Sequence, residues 1–202
     1  MFVWAMVRAY YRRDYKQRHC LLAAFDNLSY GEQTLQCETA RPIHERTFGP
    51  RLMNIRPYES HDWPRLCQIH DAARLDELRL SAGEAAFLSL EQTAETEGLF
   101  DGALDVADVN GIVEGFVAYT DDELTWLYVN PARYGQGIGR GLLRHALAHA
   151  GPTITAEVLE GNEPALRLYL SEGFRVVERK VGRLEGNESF AAVGYLLERR
   201  AD

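Results

Sequence analysis

The chain has 202 residues, of which 46% are hydrophobic, and a formal net charge of −8 at pH 7. The negative charge argues against a general nucleic-acid-binding or membrane-binding surface, and no apolar run approaches the roughly 20 residues that a membrane helix needs. The three cysteines are scattered without a CxxC pair, which argues against a zinc site or a disulfide framework and indicates a protein of the reducing cytoplasm.

The first fifty residues differ in pattern from the remainder. They show no sustained helical or strand period, and polar breaks interrupt them repeatedly. Recognisable pattern begins at Met53. We therefore expect residues 1–52 to form a poorly ordered N-terminal extension and residues 53–202 to form the functional domain.

Beyond this boundary, strand and helix signals follow one another in regular order. A strand is predicted over residues 54–58, and Asp62, with a proline two residues later, begins a helix. A second helix is predicted over residues 83–96. Asn110–Gly111 then joins two apolar runs, which is the strongest short-range hairpin signal. The two strands of this hairpin are predicted over residues 104–109 and 112–119.

Residues 123–151 contain a strand, a glycine-rich turn and an amphipathic helix. Alternation along the strand predicts one face with Glu123, Thr125, Leu127 and Val129, and a second face with Leu124, Trp126 and Tyr128. Gly135, Gly137 and Gly139 let the backbone bend where a side chain would clash. Apolar residues then recur at helical spacing until Gly151, followed by a proline, ends the helix.

A glycine turn that opens a helix directs several free N–H groups at one point, where the helix dipole also favours an anion. The turn therefore indicates a phosphate-bearing ligand, although a tight strand-to-helix connection explains the same glycines. It is not a P-loop, because Arg140 and Gly141 follow Gly139 where Lys and Ser or Thr are needed. Nor is it a Rossmann fingerprint, because Arg140 occupies the position of the third glycine.

The last part of the chain alternates strands and helices. A strand is predicted over residues 153–159, and the helix after it begins at Asn162 as N-cap and ends at Gly173. Two further strands are predicted over residues 174–180 and 191–196. The order of elements is that of a mixed α/β domain.

Two motifs in this half resemble the signatures of the GCN5-related N-acetyltransferase (GNAT) superfamily. Residues 134–143, YGQGIGRGLL, resemble its acetyl-CoA signature Q/R-x-x-G-x-G/A. Residues 162–174, NEPALRLYLSEGF, resemble N-x-x-A-x-x-x-Y-x-x-x-G-F at every named position. The resemblance extends from Met53 to the end of the chain. It implies an α/β fold with a mixed, mostly antiparallel sheet, splayed central strands and flanking helices.

The resemblance also implies an activity, transfer of an acetyl group from acetyl-CoA to a primary amine of a small molecule or peptide. The backbone of Leu127 and Val129 would hold the pantetheine arm and the acetyl carbonyl, and Asn162 would contact the same arm. The pyrophosphate would be held by the turn, through Tyr134, Gly135, Gln136, Gly137, Ile138, Gly139 and Arg140. Tyr134 stands where the family has Gln or Arg, with Arg133 one position earlier.

Two residues carry the implied chemistry. Tyr169 would donate a proton to the departing thiolate, and the alternative is a half-buried helix aromatic. Glu123, at the head of its strand, matches a position where some family members keep a glutamate base. A solvated residue following Asp121–Asp122 explains Glu123 equally well.

Three histidines lie on predicted helices. His145 and His149 are spaced as metal ligands can be, but no HExxH motif or third ligand accompanies them, and we expect no metal. His70 is expected on the polar face of the first helix.

An alternative of a different class is a non-catalytic acyl-CoA-binding or sensing domain. Tyr169 favours the enzyme, because binding alone has no use for a proton donor. The sequence does not specify the acceptor amine, although the net negative charge suits a cationic one. We expect a small-molecule or peptide amine as partner, neither nucleic acid nor membrane, and the sequence allows a homodimer.

Overall fold

The computed structural model describes residues 53–184 and 186–201, and the prediction for residues 1–52 lies outside that part of the chain. The strands are β1 Met53–Pro57, β2 Ala103–Val109, β3 Ile112–Tyr119, β4 Glu123–Val129, β5 Thr153–Leu159, β6 Arg175–Leu184 and β7 Asn187–Arg200. The α-helices of the described residues are α1 Trp63–Leu80, α2 Leu90–Thr93, α3 Ile138–His149 and α4 Glu163–Ser171. None of these described helices is long and apolar enough to cross a membrane.

The strands form one seven-stranded sheet in the order β1-β2-β3-β4-β5-β7-β6. Every neighbouring pair is antiparallel except β4 and β5, which are parallel. That parallel pair is joined only at Glu123 with Thr155 and at Leu124 with Ala156. Beyond these residues the two central strands separate. The mixed, mostly antiparallel sheet with splayed central strands and flanking helices is therefore confirmed.

Helices cover both faces of the sheet. On one face, α3 buries Leu142 and Leu143 against a cluster that also contains Tyr169 of α4. On the other face, α1 buries Leu66 and Ile69 against Phe116 and its neighbours. The strand residues between these layers point alternately into one cluster and the other.

A β-bulge in β4 alters the predicted faces of that strand. Ala118 pairs with Trp126 and Tyr119 pairs with Leu124, so Thr125 is an extra residue on β4. Leu124 consequently packs in the α3 cluster, while Trp126 packs in the α1 cluster. The prediction that these two side chains share a face was wrong, because an inserted residue reverses the alternation on one side of it. By the same alternation, Glu123 projects to the face of Trp126.

The predicted hairpin turn is present, but one of the predicted helices is not continuous. Asn110 and Gly111 both have positive φ, 57° and 83°, as the predicted hairpin turn requires. The continuous helix over residues 83–96 was wrong. A 3₁₀ turn at Glu84–Ala86 gives way to extended backbone at Phe87, and Ser89 with Gln92 forms a capping box that begins α2 afresh.

Candidate active site

The separation of β4 from β5 creates a wedge at the centre of the sheet. On its β3 side, β4 remains paired from Leu124 to Val129, and β5 is paired along its whole length with β7. The edges of β4 and β5 that face each other beyond Leu124 and Ala156 have no strand partner among the described residues. Leu127 and Val129 lie on that unpaired edge of β4. Its backbone N–H and C=O groups can bind an extended polar chain in place of a strand.

The glycine turn lies at the open end of the wedge, where β4 leads into α3. Gly137 is the N-cap of α3 with φ of 84°, and the first bond within the helix runs from the Gly141 N–H to the Gly137 carbonyl over 2.9 Å. The N–H groups of Ile138, Gly139 and Arg140 donate to no described residue. Free N–H groups at the positive end of a twelve-residue helix suit a pyrophosphate.

The glycine at the N-cap also leaves space for such a group. A Cβ built on Gly135 or Gly137 would meet nothing within 4 Å. The predicted pyrophosphate residues Tyr134 and Gln136 are both exposed in this turn. Partial burial of the Tyr134 hydroxyl, and the charges of Asp76 and Glu77, raise its pKa to about 12. The tyrosine therefore brings a neutral hydroxyl where the family signature has Gln or Arg.

The basic residues near the turn are already paired. The Arg140 guanidinium lies 2.9 Å from the Glu172 carboxylate and donates to the Ser171 hydroxyl at 3.3 Å. Its side chain is 51% exposed, so it can reorient toward an anion. Arg133 instead points inward and donates to Glu114 at 2.8 Å.

Glu114 is a residue that sequence reasoning missed. It is 2% exposed and accepts hydrogen bonds from Asn130 at 2.6 Å, from Arg133 at 2.8 Å and from Arg65 at 2.8 Å. Burial alone would raise the pKa of Glu114, but these three donors outweigh it and hold the pKa below its ordinary value. The carboxylate thus fastens the segment between β4 and α3 to β3. Its signal in the sequence was a lone glutamate inside the apolar run IVEGFVAY.

The start of α4 lies beside the wedge. Asn162 caps the helix as predicted, because its Oδ1 accepts from the Ala165 N–H at 3.2 Å. Its Nδ2 donates to Glu77 Oε1 at 3.3 Å, so the side chain joins α4 to α1.

Tyr169 is 5% exposed, and its ring meets Phe174 edge to face, with centroids 5.2 Å apart. No hydrogen bond joins its hydroxyl to another of the described residues. Burial, and to a lesser extent the charge of Glu77, raises the pKa of Tyr169 above its ordinary value. The hydroxyl therefore keeps its proton at neutral pH.

A second group missed from the sequence is a polar stripe on α1. His70, Arg74 and Glu77 recur at helical spacing and face β4. Arg74 donates to Glu77 at 2.5 Å, and the Tyr128 hydroxyl donates to Glu77 at 3.3 Å. His70 is 2% exposed, against the prediction of a polar-face residue, and burial lowers its pKa. The helical spacing of these three residues is visible in the sequence, but a charged helix face is usually solvated, so the spacing alone does not indicate a site.

A glycine determines how closely α1 approaches the wedge. Gly161, between β5 and α4, has φ of 100°, and a Cβ there would collide with the Leu80 carbonyl oxygen. Only glycine permits this backbone contact. The C-terminal end of α1, with Glu77, is thereby packed directly on the connection that precedes Asn162.

Glu123 lies at the opposite end of β4 from the turn. It is half-buried where β4 and β5 are still paired, and its N–H donates to the Thr120 hydroxyl at 3.1 Å. His145 and His149 lie on α3, where His145 Nε2 is 3.0 Å from the buried Asp105 and His149 Nδ1 contacts the His145 carbonyl at 2.8 Å. No cluster of potential metal ligands occurs among residues 53–184 and 186–201.

Comparison with known proteins finds acetyltransferases of similar sequence. A family model described as "Acetyltransferase (GNAT) domain" matches residues 101–176. The peptidyl-lysine N-acetyltransferase YjaB of Escherichia coli (strain K12) is 35% identical over 99 residues, which cover 46% of this chain and 67% of that protein. The N-alpha-acetyltransferase RimI of Mycobacterium tuberculosis is 41% identical over 71 residues, which cover 34% of this chain and 45% of that protein.

A solved structure has the same fold. The acetyltransferase yncA from Salmonella typhimurium, determined with its cofactor acetyl-CoA, superposes with a TM-score of 0.57 at 21% identity. The match covers 74% of this chain and 94% of that one. At this identity the likeness establishes the fold alone.

Proposed function

We propose that this chain, which belongs to the GCN5-related N-acetyltransferase (GNAT) superfamily, acetylates a primary amine of a peptide or protein. It is an acetyl-CoA-dependent N-acetyltransferase. Support for a peptide acceptor comes from the relatives, which are named for lysine side chains and for protein N-termini. The net charge of −8 also suits an acceptor that arrives as a cation.

Two observations carry the proposed site: β4 separates from β5, and Tyr169 packs in the same cluster as Leu127 and Val129 with no hydrogen bond from its hydroxyl to another described residue. We place the pantetheine arm of acetyl-CoA along the unpaired edge of β4 at Leu127 and Val129. Asn162 would approach the same arm from α4. The pyrophosphate would lie on the free N–H groups that follow Gly137, with Arg140 turning toward it. The free N–H groups of the glycine turn thus suit the pyrophosphate of acetyl-CoA.

The proposed reaction is direct transfer within this wedge. The amine attacks the thioester carbon, and the Val129 N–H stabilises the oxyanion, an interaction typically worth about 3 kcal/mol. Tyr169 donates its proton to the leaving sulfur as the carbon–sulfur bond breaks. Glu123, the base that the family resemblance predicts, lies where β4 and β5 are still paired, outside the wedge, and we do not assign it a role in this step.

The experiment uses two matched peptides and measures free thiol release from acetyl-CoA. One peptide has a blocked N-terminus and a single lysine, and the other has a free N-terminus and no lysine. A third, with neither amine, is the control. We expect turnover with at least one of the first two and none with the third. Turnover confined to polyamines, aminoglycosides or free amino acids would contradict the peptide proposal and leave the acetyltransferase assignment intact.

A further inference from the structure

We propose that Glu77, on α1, is the carboxylate that receives the acceptor ammonium group and takes its proton. The inference rests on the proposed wedge site and deepens it, because it names the group that activates the amine. Glu77 lies on an element that the acetyl-CoA signatures do not include. Its position follows from the packing of α1 on the connection between β5 and α4.

The contacts of Glu77 place it where β4 and α4 converge. Oε2 accepts from Tyr128 of β4 at 3.3 Å, and Oε1 accepts from Asn162 at the start of α4 at 3.3 Å. The charge of Glu77 also acts on the buried Tyr169 hydroxyl. One carboxylate therefore contacts or influences a residue on each side of the wedge, including the proposed acid.

The carboxylate retains capacity for a substrate. A carboxylate can accept about four hydrogen bonds, and Glu77 accepts three, of which only that from Arg74, at 2.5 Å, is short. The bonds on Oε1 and from Tyr128 are long, and the side chain is 16% exposed. An ammonium group can replace a weak donor at Oε1 and form a stronger, charge-assisted bond.

Several charged or titratable groups face this carboxylate from the surrounding elements. His70 and Arg74 lie on α1, Tyr128 on β4, Tyr169 on α4 and Tyr134 in the glycine turn, and the charge of Glu97 also reaches Arg74 and Tyr128. Burial and the nearby carboxylate raise the pKa of Tyr128 and Tyr169, so both remain neutral. Burial keeps His70 neutral as well. Arg74 is thus the cation that pairs with this carboxylate.

In the proposed step, Glu77 and Tyr169 act in turn on one ammonium group and one thioester. The acceptor enters as an ammonium ion and gives one proton to the Glu77 carboxylate. The free nitrogen lone pair forms the carbon–nitrogen bond, the carbon–sulfur bond breaks, and sulfur takes the proton of the Tyr169 hydroxyl. The Tyr169 phenolate then takes the second proton from nitrogen. Glu77 releases its proton to solvent, and the products are the amide, the free thiol and one proton.

The test is the pH dependence of kcat for Glu77→Gln, measured with the accepted peptide and with methylamine. Wild type should be nearly flat between about pH 7 and 9, because Glu77 deprotonates the bound ammonium. Glu77→Gln should turn over about 10²-fold more slowly near pH 7. Its kcat should then rise about tenfold per pH unit, because only the uncharged fraction of an amine can react. The affinity for acetyl-CoA should not change.

Two control variants make the result decisive. Glu178→Gln, an exposed glutamate on β6, should match wild type, and Glu123→Gln should keep the flat profile. A Glu77→Gln profile lowered by the same factor at every pH would show a purely structural role and overturn the proposal. So would a steep profile in Glu123→Gln instead. Acetylation of methylamine but of no peptide would count against the peptide acceptor alone.

A second variant covers the case in which Glu77→Gln does not fold, since the change also disrupts the pair with Arg74. Glu77→Asp keeps the carboxylate but withdraws it by one methylene. It should lower kcat while retaining the flat profile. A rise of about tenfold per pH unit in Glu77→Asp would contradict a carboxylate base at this position.

Discussion

At the scale of single residues, the site depends on polar groups held out of water. Tyr169 is a buried residue whose hydroxyl has no hydrogen bond to another described residue, and Glu114 is a buried carboxylate with three donors. The first is costly unless a ligand uses it, and the second is costly to remove. The first was named from a sequence motif, whereas the second became evident only when strands distant in sequence were brought together.

Tyr169→Phe should keep the affinity for acetyl-CoA and lose turnover. The ring still packs on Phe174, but the proton donor is gone, and general acid catalysis typically contributes about 10² to 10⁴-fold. A thiolate is a fairly good leaving group, so we expect about 10². The loss should appear equally in kcat and kcat/KM, since it concerns the transition state. Tyr58→Phe is the control, and equal rates for both variants in a chemistry-limited assay would leave Tyr169 as packing only.

Glu114→Gln should destabilise the protein by about 1–3 kcal/mol at neutral pH. The expected loss is smaller than for a fully buried ion pair, because Arg65 and Arg133 are about a third exposed and partly solvated. The pKa of Glu114 is lowered on folding, so its contribution is complete above the unfolded pKa of about 4.3 and declines as pH falls further. In urea unfolding, the difference in free energy of unfolding between wild type and variant should therefore become smaller below about pH 4. A difference that widens with acid would contradict the assigned charge state.

At the scale of elements, local sequence patterns were sufficient to predict the strands and turns around the site, but not the contacts between elements distant in sequence. The bounds of β4 and β5 and the turn into α3 follow from residues adjacent in sequence, because alternation, glycine and proline act locally. The bulge at Thr125 could not be predicted, since the alternation of β4 looks unbroken until β3 is paired with it. Likewise, Arg74 and Glu77 resemble a solvated helix face until Gly161 brings the end of α1 onto the wedge.

Gly137→Val should abolish stabilisation by acetyl-CoA. The residue needs φ of 84°, and a branched side chain would intrude where the backbone must approach phosphate. At about a hundredfold excess over the dissociation constant, ligand linkage gives wild type about 2.7 kcal/mol, seen as a shift in thermal midpoint. Gly111→Val is a matched control, because Gly111 has φ of 83° and equally open surroundings in the β2–β3 turn. The control should lose stability but keep the shift, and loss of the shift in both variants would show strain rather than a lost site.

At the scale of the whole molecule, one sheet carries both halves of the reaction. The covering helices differ in role: α3 and α4 supply the proposed acetyl-CoA contacts, and α1 supplies the proposed base. Strand alternation in β4 places Leu127 in the α3 cluster and Tyr128 in the α1 cluster.

Residues 1–52 should be dispensable for this arrangement. Both signature motifs and the seven strands of the described residues lie between Met53 and Arg200. A chain that begins at Met53 should therefore melt cooperatively and gain the same stability from acetyl-CoA as the full chain. Loss of cooperative melting in the shorter chain would show that the first 52 residues stabilise the domain.

Amide hydrogen exchange measures directly where acetyl-CoA binds, on which the proposed site and mechanism both depend. Wild-type protein should be compared with and without saturating acetyl-CoA. We predict slower exchange along the free edge of β4 near Val129 and at the start of α3 from Ile138 to Arg140, because these N–H groups gain partners in the complex. The β2–β3 turn at Gly111 should exchange at the same rate in both states. Unchanged exchange at β4 and α3, with new protection elsewhere in the chain, would contradict the proposed site.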